Sequence, residues 1–89
     1  MAISTYQFTL STTRQALIKG NKYRRSITIL NEDTGINILV CPNGTDAGMI
    51  IFPMTSMTFD PQGSNDPTLP LQLEAASGTP NCRVMEDYI

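Results

Sequence analysis

The sequence predicts an all-β domain, a small antiparallel β-sandwich or flattened barrel of seven to eight short strands. Three observations predict it. Thr and Ser together supply 11 and 6 of the 89 residues, and threonine suits the pleated, half-buried surface of a sheet. Apolar and polar residues alternate in short segments, the period-two signature of a strand with one buried face. Turn residues separate those segments at short intervals, the spacing of a sandwich or small barrel. The best helical window, Leu71 to Ser77, is too short to favour a helix over an alternating strand.

The elements follow in order. Ser4 to Leu10 alternates, with Tyr6, Phe8 and Leu10 on one face and Thr5, Gln7 and Thr9 on the other. Thr13 to Ile18 is a second strand, ended by the turn Lys19-Gly20-Asn21-Lys22. Arg24 to Asn31 sets Arg25, Ile27 and Ile29 against Ser26, Thr28 and Leu30. Glu32-Asp33-Thr34-Gly35 is a loop, and Ile36 to Cys41 follows with Ile36, Ile38 and Val40 on one face, so Asn31 to Cys41 reads as the centre of a β-hairpin. Pro42-Asn43-Gly44-Thr45 stops that strand. Gly48 to Phe52 and Met54 to Phe59 are short apolar segments divided by Pro53, and Asp60 to Pro67 reads as an exposed loop. Leu69, Leu71, Leu73 and Ala75 alternate despite Pro70, the mark of an edge strand. Ser77 to Asn81 turns the chain into a last strand carrying Cys82, Val84 and Glu86. The expected core is Tyr6, Phe8, Ile27, Ile29, Ile38, Val40, Ile51, Phe59, Leu71, Leu73 and Val84.

This length makes one domain, residues 1–89, with 1–5 as a candidate extended arm that adds a strand to a neighbour. A domain of this size hides roughly 60–70% of the surface its unfolded chain exposes. Its core is therefore thin, and association of copies is a usual remedy. The net charge of -2 hides an asymmetry. Arg14, Lys19, Lys22, Arg24 and Arg25 all precede residue 32, where no acid occurs; all eight acids and Arg83 follow. Either cross-strand pairs mix the two signs on one surface, or the domain is two-faced and its positive part meets the negative part of a neighbour.

The residues argue against catalysis. The chain has no histidine, the usual general base of nucleophile systems and the commonest metal ligand. Cys41 and Cys82 are isolated, with no CxxC to hold zinc, and read as two buried thiols rather than a bridge. Glu32-Asp33 and Glu86-Asp87 are the paired acids, each beside a turn or terminus where solvated carboxylates are the default. Gly44 and Gly48 lack the GK[ST] of a phosphate loop, and the sequon-like Asn43-Gly44-Thr45 reads as a turn. Lys22-Tyr23-Arg24-Arg25 mixes charge and aromatic as nucleic-acid surfaces do, but the acidic total speaks against that partner. The opening MAISTYQF lacks the pattern of a secretory signal, and the longest apolar run, Ile36 to Cys41, is too short to span a bilayer. The expectation is a non-enzymatic protein without cofactor or metal, made in a reducing cytoplasm.

Arg24-Arg25-Ser26-Ile27-Thr28-Ile29-Leu30-Asn31, the apolar strand Ile36 to Val40, the Gly48-led segment to Pro53, the strand Met54 to Phe59 and the closing Cys82-Arg83-Val84-Met85-Glu86 together form a pattern. It resembles that of small virion proteins of tailed bacteriophages. The resemblance implies a structural protein that decorates or cements a capsid or sits at a head or tail junction. It implies a capsid or connector protein as partner, a homo-oligomer, and a place in the virion. The chain departs from the pattern in the Asp87-Tyr88-Ile89 ending and in the Asp60 to Pro67 loop. Candidate partner-binding residues are the apolar ones left over after the core is filled, Ile3, Met54, Met57 and Ile89, and the charged and aromatic Tyr23, Arg24 and Arg25. The alternative is a receptor- or carbohydrate-binding tip of a tail or fibre, which would stack a sugar on an exposed aromatic such as Tyr23 or Tyr88.

Overall fold

The computed structural model describes residues 2–42, 48–60 and 67–88. Eight strands follow one another: β1 (Ala2–Thr9), β2 (Gln15–Ile18), β3 (Arg24–Asn31), β4 (Ile38–Pro42), β5 (Met49–Ile51), β6 (Ser56–Phe59), β7 (Leu71–Ala75) and β8 (Asn81–Tyr88). They form two four-stranded sheets, β1-β8-β3-β6 and β2-β7-β4-β5, in which every pairing is antiparallel. Apart from β4 and β5, consecutive strands alternate between the sheets, and this order has the topology of a jelly roll, the eight-stranded double-sheet sandwich.

Alternation along the central strands builds the core. Ile27 and Ile29 of β3, Cys82 and Val84 of β8, Leu71, Leu73 and Ala75 of β7, and Ile38 and Val40 of β4 all point between the sheets and are buried. Ile51, Phe59, Ile18 and Leu10 close the sides. Of the expected core, only Tyr6 and Phe8 are partly covered, because they lie on the edge strand β1. The sequence reading omitted Leu10, Ile18, Cys41, Ala75 and Cys82 from that core, and all five are buried.

Three expectations are corrected. β3 and β4 do not form a hairpin; they lie in different sheets. The reason is Asn31, fully buried at the end of β3. Its Nδ2 donates to the carbonyls of Ile36 (2.8 Å) and Ile51 (2.9 Å), and its Oδ1 accepts from the Asp33 amide at 3.0 Å. Asp33 Oδ1 in turn accepts from the amides of Gly35 and Ile36, a side-chain turn that lifts the chain to the other sheet. β7 is not an edge strand but is flanked by β2 and β4. Pro70 lies just ahead of the strand, where it removes no ladder bond. The expected N-terminal arm is the start of β1, paired with β8 from Ala2↔Tyr88 to Thr9↔Asn81. Residues 43–47, most of the Asp60 to Pro67 loop and Ile89 lie outside the described residues.

Candidate functional site

The surface is built from the residues that the alternation leaves outside. On the β1-β8-β3-β6 sheet, the register aligns Thr5, Met85, Thr28 and Thr58 in one outward row and Gln7, Arg83, Leu30 and Ser56 in the next. Thr5, Thr28, Leu30, Ser56, Arg83 and Met85 enclose a shallow, mostly apolar depression of about 270 Å³. The one charge there is neutralised: Arg83 Nε donates to Glu32 Oε2 at 3.1 Å, and Gln7 Nε2 donates to Glu32 Oε1 at 2.8 Å. The Gln7 bond first, and Arg83 second, hold the Glu32 carboxyl below its usual range. Ile3, 63% exposed, continues this face on β1.

A second apolar feature joins the sheets. Between β5 and β6, Phe52 and Met54 stand on either side of Pro53, 59% and 60% exposed. The Thr55 amide and hydroxyl both donate to the Phe52 carbonyl. The Met54 amide donates to the carbonyls of Asn31 (3.0 Å) and Asp33 (3.1 Å). Met54 is held at φ 58°, the left-handed region that a long L side chain occupies only at a cost of about 1–2 kcal/mol. The result is a knuckle that fixes two large apolar side chains in solvent.

The charges turn inward or pair along the chain. Opposite β8, Arg24 faces Tyr88 and Ser26 faces Asp87, so Arg25 is an extra residue in β3. This bulge shifts the alternation by one. Arg24, 2% exposed, therefore joins the face of Ile27 and Ile29, the reverse of the expected placement. Its guanidinium donates to the carbonyls of Pro67 (2.6 Å), Leu69 (2.7 Å) and Lys19 (3.0 Å) and to Glu86 Oε2 (3.2 Å). Glu86, also buried, accepts from the hydroxyls of Tyr6 and Tyr88. The bond to Glu86, then burial, pushes the Tyr88 phenol above its ordinary value. Arg25 pairs with Asp87 at 2.9 Å and Arg14 with Glu74 at 3.1 Å. Among the described residues, Arg14, Arg24, Arg25 and Arg83 are thus engaged by acids of the same chain, the mixing arrangement of the two considered for the charge split.

The candidate partner-binding residues divide accordingly. Ile3, Tyr23 and Met54 are exposed; Lys22 Nζ lies 5.1 Å from the Tyr23 ring centroid. Arg24 is corrected to a buried structural residue: it is 2% exposed and its guanidinium is held by backbone carbonyls and Glu86. Arg25 is half-buried on Asp87, and Met57 is half-buried against the core. Ile89 lies outside the described residues. Ile50, Phe52 and Met85, which were not among the candidate partner-binding residues, are also exposed. The two acidic pairs do not converge. Glu32 neighbours Asn81 at the start of β8, and Glu86 is five residues along that strand, roughly 17 Å away. Among the described residues, no three His, Cys, Asp or Glu side chains cluster as metal ligands do, and no helix is long and apolar enough to cross a membrane.

No protein-family model and no curated protein matches this chain. Among solved structures it is similar to a protein of Bacillus endospore appendages, described as forming a family of disulfide-linked pili. The TM-score is 0.56 at 12% identity, over 99% of this chain and 86% of that one. At that identity the likeness is one of fold.

Proposed function

We propose that this chain is a non-enzymatic structural subunit that works by binding protein surfaces in a larger assembly. The observation that carries the reading is the knuckle. Met54 keeps a strained backbone in order to hold its side chain, with that of Phe52, in water. Such strain persists only where the surroundings over-determine it, and it concentrates at functional positions. Exposed large apolar side chains on a rigid turn are the anchors that interfaces bury.

The kind of assembly is a phage virion, with this chain as a decoration, cement or junction protein on a capsid or connector. The pattern in β3, β4, β5, β6 and β8 supports that reading. The pilus-forming structural neighbour shares the fold and is itself an assembly protein by its description. The chemistry of that pilus does not carry over. Cys41 and Cys82 are both fully buried, so neither thiol is presented to a neighbouring subunit.

The test is to size the purified protein by light scattering over a wide concentration range, to image it by electron microscopy, and to mix it with virion shells lacking it. The expected result is self-association or shell binding that a folded Phe52→Ser/Met54→Gly variant loses. A protein that stays monomeric at high concentration and binds no shell refutes the proposal.

A further inference from the structure

Four strands end the two sheets, and they are unlike. β2 has four residues and an irregular register, β5 has three and β6 has four. β1 has eight, paired without a break to β8, and β8 is its one neighbour among the described residues. An edge strand offers a row of unpaired backbone N–H and C=O groups, and proteins blunt such edges by shortness, bulges, proline or charge. The other three edges are short. β1, AISTYQFT, has none of these protections.

The side chains of β1 are unfinished as well. Tyr6 and Phe8 point toward the core and stack edge to face, with centroids 5.2 Å apart, yet both remain only partly buried. On the outer face Ile3 is the most exposed of the large apolar residues. A strand added beside β1 would satisfy the backbone row and cover side chains on both faces.

We infer that the added strand is β1 of a second copy, antiparallel across a twofold axis perpendicular to the sheet. This joins two four-stranded sheets into one of eight strands. Length selects the occupant, since no other edge among the described residues matches β1. Charge permits it: self-pairing sets a strand against itself, which a charged edge would oppose and this neutral one does not. The axis keeps outward residues opposite outward residues, so the longest registers centre on Thr5, pairing Ala2–Phe8 with itself, or on Tyr6, pairing Ile3–Thr9 with itself. Closed twofold pairing also hides the aggregation-prone edge. This deepens the assembly reading by naming its first contact, which is distinct from the Phe52–Met54 knuckle.

Sedimentation equilibrium of the whole chain tests it. The wild type should dimerise. Thr5→Lys/Gln7→Lys, at two exposed positions beside the axis, should raise the dissociation constant by about tenfold or more through opposed like charges. Ser77→Lys/Thr79→Lys, in the exposed turn before β8, should leave it unchanged. Circular dichroism checks that each variant is folded. As a gain of signal, Thr5→Cys/Gln7→Cys should form a disulfide-linked dimer under mild oxidation in either register. A folded lysine variant that dimerises as tightly as wild type overturns the inference, as does a cysteine variant that fails to cross-link. A wild type that is monomeric yet binds virion shells overturns the inference and leaves the assembly reading standing.

Discussion

Replacing Arg24 by Met should remove a large share of the stability of this domain. The substitution keeps most of the aliphatic stem and deletes the guanidinium. It breaks the 3.2 Å pair with Glu86 and strips hydrogen-bond donors from the carbonyls of Lys19, Pro67 and Leu69. The Glu86 carboxylate then stays buried with two tyrosine hydroxyls and no counter-charge. Removing one member of a buried pair costs about 3–5 kcal/mol, mostly because the other charge is stranded. At about 0.05–0.15 kcal/mol per residue, a chain of this length has roughly 4–13 kcal/mol in total. With a urea dependence of about 1–1.5 kcal/mol per molar, the unfolding midpoint should fall by about 2–5 M. Urea titration followed by circular dichroism and tyrosine fluorescence reads this directly. A double-mutant cycle with Glu86→Gln tests the pair, because the near-isosteric Gln amide removes the charge and its one oxygen still accepts from one of the two tyrosine hydroxyls. The double variant should be more stable than the sum of the single losses predicts. A loss under about 1 kcal/mol for Arg24→Met, or additivity within about 0.5 kcal/mol, would refute the reasoning and show that the buried pair contributes little to stability.

Asn31→Asp should cost about 2–4 kcal/mol, because a carboxylate cannot donate to the carbonyls of Ile36 and Ile51; thermal melts against Asn31→Ala, which lacks the repulsion, will measure it. Both thiols should be inert to a thiol-specific reagent at pH 8 in the folded protein and react together on unfolding, since burial pushes the Cys82 thiol up to about 11 and Cys41 is fully buried. Tyr88, neutral and hydrogen-bonded to Glu86, has its folded value raised above the ordinary 10.0. Its contribution to stability is therefore complete below that ordinary value and is lost as pH rises through the folded one. Ultraviolet titration should show a late phenol transition that disappears in Tyr88→Phe. Self-association should change little with salt, since the surfaces proposed for it are neutral; a steep salt dependence would return the role to charge.

Alternation was enough to place β3 at its observed bounds and to select a core in which nine of eleven residues are fully buried. It failed where its premise fails. Met49-Ile50-Ile51-Phe52 is apolar throughout, so period two cannot say which members face out, and Ile50 and Phe52 turned out to be the exposed ones. A slip of one residue moves every side chain to the other face. The bulge in β3 makes such a slip at Arg25, and composition does not record it. One sequence signal did point there. On β8 the inward positions Cys82 and Val84 are followed by Glu86, and a carboxylate on a core face requires a cation within reach. The β3–β4 hairpin failed for a different reason. Glu32-Asp33-Thr34-Gly35 is as good a loop for crossing between sheets as for reversing within one, and what decides is the buried amide of Asn31, a tertiary interaction.

The division of charge along the chain left two readings open, and in one of them copies meet positive face to negative face. The fold removes that mechanism by satisfying it internally. Arg24 and Arg25 of the basic half lie against Glu86 and Asp87 on the neighbouring strand, and Arg14 of the same half lies against Glu74. A jelly roll interleaves early and late strands, β1 and β3 on either side of β8 and β2 beside β7, so an N-terminal cation and a C-terminal acid become cross-strand neighbours by topology alone. The features proposed here for contact are uncharged: the long edge of β1, the half-covered Tyr6 and Phe8, and the knuckle of Phe52 and Met54. Charge in this chain therefore helps its two halves interlock, and the surface proposed for a partner is one of backbone hydrogen bonds and apolar side chains.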